Sequence, residues 1–86
     1  MFMRGSQTKQ ISRKEKAFLR ALGRRIGDLR HDKGLTQVEL AAAAQLHRNY
    51  VGDIERGERN IHIVSLTRIA EALEMELPDL LTVSKE

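Results

Sequence analysis

Arg48, Asn49, Gly52, Asp53 and Arg56 have the types and spacing needed to read the edges of DNA bases. On an α-helix they share one arc of about 140°, and Val51 and Ile54 take the opposite side. One face can therefore pack while the other stays outside. An Arg donates two hydrogen bonds to guanine O6 and N7. An Asn pairs with adenine N6 and N7, and an Asp accepts from cytosine N4. Gly52, set on that face, would let the helix lie deep in a groove. Tyr50 lies at the rim, with a hydroxyl that can reach a phosphate or sugar. Any surface helix also carries Arg, Asn and Asp, so the face alone leaves a merely solvated surface open as a second reading.

The elements around it favour the first. A helix from about Arg48 to Arg56, ended by Gly57, follows a short helix opened by Thr36-Gln37-Val38-Glu39. Those four residues have capping-box spacing. Leu40, Ala41 and Ala44 form the inward face of that helix, and Gln45-Leu46 makes the turn. Two helices joined by three or four residues form a helix-turn-helix arrangement. Gln37 stands at a helix start, where backbone amides and the positive end of the dipole favour phosphate. Arg59 and Asn60, just past the third helix, are placed to touch DNA backbone, and Arg56 joins them.

A longer first helix precedes this pair. Ser12-Arg13-Lys14-Glu15 is another capping box, and Phe18, Leu22, Ile26 and Leu29 form one apolar stripe. Gly23 and Gly27 weaken it or admit a close helix contact, and Gly34 closes it with a left-handed cap. After Gly57 a fourth helix runs from about Ile63 to Glu74, with Ile63, Leu66, Ile69, Ala70 and Leu73 inward. Pro78 opens a last short one. The expected fold is all-α, a compact bundle of about five short helices. Residues 1–11 read as a flexible basic tail and 12–83 as the DNA-binding domain with a C-terminal dimerisation region.

Composition agrees. The chain has 86 residues and no cysteine, so one small core must hold it without disulfides or thiolate–metal bonds. Apolar residues make up 41%, with two Phe, one Tyr and no Trp, so that core is aliphatic. The longest unbroken apolar run, Leu40 to Ala44, is far short of the roughly 20 residues of a membrane span. The first residues lack a signal-peptide core, and the protein is expected in the cytoplasm. Residues 1–33 carry ten Lys/Arg against three acids, residues 34–60 three against four, and residues 61–86 two against five. The basic first third suits a polyanion, or else a solvated mixed-charge helix. His31, His47 and His62 fall at no metal-ligand spacing, and no Gly-rich phosphate loop or nucleophile elbow occurs. Neither an enzyme nor a metal or cofactor is expected.

Leu35-Thr36-Gln37-Val38-Glu39-Leu40-Ala41, then Arg48-Asn49-Tyr50-Val51, then Ile54-Glu55-Arg56-Gly57 resemble the Cro/repressor-type (XRE) helix-turn-helix family. Gly23-Arg24-Arg25-Ile26 with Leu29-Arg30, and Ser65-Leu66 with Ile69-Ala70 and Leu73, extend the resemblance to about residues 17–82. Within the family, Arg48-Asn49-Tyr50, Ile54-Glu55-Arg56 and Arg59-Asn60 are similar to the controller proteins of bacterial restriction–modification systems. The resemblance implies a lambda-repressor-like fold and the following roles. Arg48, Asn49 and Asp53 read bases; Gln37, Tyr50, Arg59 and Asn60 hold backbone; Arg30 and Glu55 form a structural ion pair. Three residues depart from the family pattern. Gln45 takes a turn position that is usually Gly, His47 replaces a Ser or Thr cap, and Val38 stands where a polar residue is usual.

The expected mechanism is a homodimer with two copies of the third helix in successive major grooves of a pseudo-palindromic operator, about 34 Å apart. Leu77, Leu80, Leu81 and Val83, with Ile61, are the candidate dimer contact; capping the core is their other reading. RNA polymerase is the further partner that activation would need. An antitoxin-like module that binds a partner protein and its own operator is the main alternative. RNA binding would call for more exposed aromatics than Tyr50.

Overall fold

The computed structural model describes residues 11–83. The expected basic tail therefore lies outside the described residues, apart from Ile11. Five helices follow in order: α1 (Arg13–Asp32), α2 (Gln37–Ala44), α3 (Arg48–Glu55), α4 (Ile63–Ala72) and α5 (Leu77–Leu80). No strand occurs among the described residues.

Both capping boxes form. The Ser12 hydroxyl accepts from the Glu15 N–H at 3.1 Å, and the Glu15 carboxylate accepts from the Ser12 N–H at 2.8 Å. Thr36 and Glu39 repeat this at 3.0 and 2.8 Å. These reciprocal bonds satisfy amides that helix starts leave orphaned. Gln45 closes α2 in the left-handed region, at φ 59°. His47 caps α3 through its ring: Nδ1 accepts from the Asn49 N–H at 3.1 Å. The imidazole thus does the work usually done by a Ser or Thr hydroxyl.

The core is a single aliphatic cluster. Leu22 and Ile26 come from α1, Leu40, Ala41 and Ala44 from α2, Val51 and Ile54 from α3, and Leu66, Ile69 and Ala70 from α4. Leu73 and Leu80 complete it. The small side chains of α2 let that helix sit against α3 and α4 at once. Each large member contributes about 1.5–3 kcal/mol through burial.

Four expectations change. Phe18 is 44% exposed, because the N-terminal turns of α1 extend past the cluster that covers Leu22 and Ile26. Ile63 is 61% exposed, since it is the first residue of α4, at the edge of the inward stripe. The same helix stops at Ala72, two residues short of Glu74, which takes a left-handed φ of 61° while Met75 N–H donates back to Ala70. Leu80, expected at a dimer contact, is fully buried within its own chain and has no exposed surface to offer a partner.

Two glycines bring α1 against the end of α3. A Cβ on Gly23 would collide with the carbonyl oxygens of Ile54 and Glu55, the latter at 2.7 Å. Gly57 combines φ 74° with a similar approach, since its Cβ would lie 2.8 Å from Arg20 Cα. Gly27, by contrast, faces only the Glu55 side chain, at 3.4 Å. Gly23→Ala should therefore lower stability by about 1–3 kcal/mol through overpacking against backbone. Gly27→Ala should not destabilise, because it gains helix propensity of up to about 1 kcal/mol. Urea unfolding of the two variants checks this, and equal losses would contradict it.

Candidate nucleic-acid interface

The α2–turn–α3 pair forms a shallow groove lined by Gln37, Val38, Arg48, Asn49, Gly52, Asp53, Arg56 and Arg59. Its position is set by a buried ion pair. Arg30 of α1 donates from Nε to Glu55 Oε2 at 2.7 Å and from Nη2 to Oε1 at 3.0 Å, a bidentate fork. Its Nη1 donates to the Leu35 carbonyl at 2.8 Å. Both side chains are only 9% exposed. The hydrogen bond to Glu55 raises the Arg30 pKa, against an opposing effect of burial. Gln37 joins the cluster: its Nε2 donates to Glu55 Oε1 at 2.9 Å. The first residue of α2 and the last of α3 are thereby held together, with α1 behind them.

Within the groove the polar groups divide into two sets. Asp53 is engaged on both oxygens: Oδ1 accepts from Arg56 at 2.6 Å, and Oδ2 accepts from Arg59 Nη2 at 3.2 Å and Nε at 3.3 Å. Arg56 also donates to Glu58 at 3.1 Å, and that bond is the main cause of its raised pKa. The Arg59 guanidinium lies 5.2 Å from the centre of the Tyr50 ring. The Tyr50 hydroxyl accepts a long 3.4 Å bond from the His62 N–H. Arg48 and Asn49 form the other set. They are exposed at the first turn of α3, and neither side chain is hydrogen-bonded or ion-paired to any described residue.

The structure thus brings Arg48, Asn49, Asp53, Arg56, Arg59 and Gln37 to one groove and puts Tyr50 beneath Arg59. Asn60 is exposed beyond it. Gly52, expected to let the helix lie deep in a groove, is buried in the free protein, with the Arg56 guanidinium and the Gln37 amide beside it. A Cβ there would lie 3.4 Å from Arg56 Nη1 and 3.6 Å from Gln37 Oε1, in ordinary contact. The C-terminal leucines are elsewhere: Leu77, Leu81 and Val83 are half-buried against the core.

Two features escaped sequence reasoning. Arg25 donates from Nε to the Leu80 carbonyl at 3.1 Å and from Nη2 to the Asp79 carbonyl at 2.8 Å, tying α1 to the end of α5. No local pattern announces a bond across 55 positions. Ile63 and Val64, 61% and 57% exposed, are the largest pair of adjacent bare aliphatics among the described residues.

Among the described residues, no three His, Cys, Asp or Glu side chains gather as a metal site. No helix there is long and apolar enough to cross a membrane.

A groove of amide, guanidinium and carboxylate groups on a helix-turn-helix defines a DNA-binding regulator, and the comparisons agree. A helix-turn-helix family model matches residues 26–80. The chain belongs to that family, among its XRE-type DNA-binding transcription regulators, and the family is not one of enzymes. It is related to restriction–modification controller proteins. Control protein C.SmaI of Serratia marcescens is 39% identical over 61 residues, covering 71% of this chain and 73% of that protein. The crystal structure of the restriction–modification controller protein C.AhdI from Aeromonas hydrophila is similar with a TM-score of 0.73 and 44% identity, covering 74% of this chain and 97% of that one. The biofilm master regulator SinR, solved in complex with DNA, gives a TM-score of 0.68 and 32% identity, covering 71% and 98%.

The buried pair yields a stability test. Glu55→Ala strands the Arg30 guanidinium and should cost about 3 kcal/mol. Lys33 and Glu74 also pair, at 2.7 Å, but in solvent, so Lys33→Ala should leave the urea midpoint nearly unchanged. Similar midpoints for the two variants would contradict this ranking.

Proposed function

We propose that the protein is a sequence-specific regulator that binds a pseudo-palindromic operator as a homodimer, with α3 in the major groove. The observation that carries this reading is the division of the groove. Arg48 and Asn49 project without partners among the described residues, while the surrounding cations are already held in place. Free donors at the first turn of α3 read base edges; held cations meet phosphates without first losing rotamer freedom. Arg48 takes a guanine and Asn49 an adenine. A carboxylate offers about four acceptor positions, so Asp53 can keep both arginines and still accept from a cytosine N4. Arg56, Arg59, Tyr50, Asn60 and Gln37 hold backbone. Similarity to C.SmaI and C.AhdI supports a restriction–modification operon as the target.

Selection of duplexes from a randomised pool at physiological salt tests this. The expected product is a motif of two inverted half-sites. Arg48→Ala should relax it at one position per half-site, with a loss of about 1–3 kcal/mol each. Arg59→Ala should leave the motif intact and reduce the slope of log affinity against log salt by about one per protomer. Binding that is equal on all sequences and vanishes with salt would overturn the reading.

The dimer contact is proposed to bury Ile63 and Val64 with the exposed edges of Leu77, Leu81 and Val83. Paired bare aliphatics are otherwise an unrelieved hydration cost. Val64→Asp should raise the dimer dissociation constant at least tenfold in sedimentation equilibrium, with the monomer's helical content unchanged. An unaltered constant would place the contact elsewhere.

A further inference from the structure

The reading groove has one wall that hydrogen bonding does not use. Val38, the second residue of α2, is 52% exposed and lines the groove across from Arg48 and Asn49. It is not part of the aliphatic core and not among the residues packed against it. Every other groove-lining side chain is charged or an amide, and Gly52 has none. A β-branched residue in the first turn of a helix gains nothing from helix propensity. Apolar surface left in water there also goes unrewarded in the free protein.

The major groove presents four kinds of feature: acceptors, amino donors, paired acceptor–donor edges, and the C5-methyl of a pyrimidine. Arg48 matches the first, Asp53 the second and Asn49 the third. The methyl alone lacks a counterpart in that set, and among the described residues Val38 is the one side chain lining the groove with matching chemistry. Its neighbour Gln37 is fixed on Glu55 at 2.9 Å, so this end of α2 is anchored rather than free to turn away.

We infer that Val38 is a specificity-determining residue that packs against a pyrimidine C5-methyl in each half-site. The inference rests on the DNA-reading role proposed above. Thymine carries that methyl, and 5-methylcytosine presents the same group.

The test uses the full chain and the duplex recovered by pool selection. Each thymine is replaced in turn by deoxyuridine, which removes only the methyl, and each cytosine by 5-methylcytosine. Affinities are measured for the natural chain and for Val38→Ala. The expected result is one thymine per half-site whose replacement weakens the natural chain about fourfold and leaves Val38→Ala unaffected. A gain with 5-methylcytosine at one position, lost in Val38→Ala, would equally support the inference and assign the methyl to a modified base. If every replacement acts alike on both proteins, the two are uncoupled and Val38 reads no methyl, though base reading by Arg48 and Asn49 would stand. Failure to recover any duplex would remove the DNA-reading role itself and this inference with it. Val38→Thr, which keeps the branched shape, guards against a purely local change in α2.

Discussion

The Arg30–Glu55 fork is the constraint on which the rest depends. Through it α1, the Leu35 carbonyl, α2 and α3 meet at one point. A buried ion pair is weak evidence of net stability, because desolvation offsets most of the attraction. Its contribution is geometric. A bidentate fork tolerates one relative orientation of its partners, so the set of α1 against α3 is held by planar hydrogen bonding as well as by aliphatic contact, and Gln37 ties the start of α2 to the same carboxylate. Aliphatic side chains alone tolerate sliding and repacking; the fork does not. Gly23 serves the same end, since only a missing Cβ lets α1 approach the last carbonyls of α3.

The groove that results is electrostatically graded. Asp53 sits among Arg56 and Arg59, and Glu58 takes a second hold on Arg56. These pairs are largely in solvent and contribute little stability. They do restrict where the guanidiniums go. Long basic side chains normally surrender rotamer entropy when they bind. Here part of that loss has already occurred in the free protein, and the Tyr50 ring adds a flat support under Arg59.

Most of the architecture was legible from short-range signals. Ser12-to-Glu15 and Thr36-to-Glu39 announced two helix starts because the capping interaction is completed within four residues. Gly57 and Gln45 marked stops for the same local reason. The grouping of Arg48, Asn49, Asp53 and Arg56 followed from helical period alone. What stayed hidden depends on contacts between distant parts of the chain. Phe18 and Ile63 fit a helical stripe, but a stripe does not say how far the neighbouring helices extend over it. Leu80 was read with its surface neighbours because nothing nearby distinguishes a fully enclosed leucine from a half-covered one. The burial of Gly52 required knowing where Arg56 and Gln37 rest, and Arg25 meets α5 across most of the sequence.

That last contact has a further consequence. Arg25 grips α5 through the main-chain oxygens of Asp79 and Leu80, not through their side chains. A four-residue helix cannot hold itself together by its own hydrogen bonds, so this grip, the inward Leu80 and the half-buried Leu77 and Leu81 keep it docked. None of these depends on which side chains α5 turns outward. The outer face of this segment can therefore drift through mutation while its anchorage stays the same.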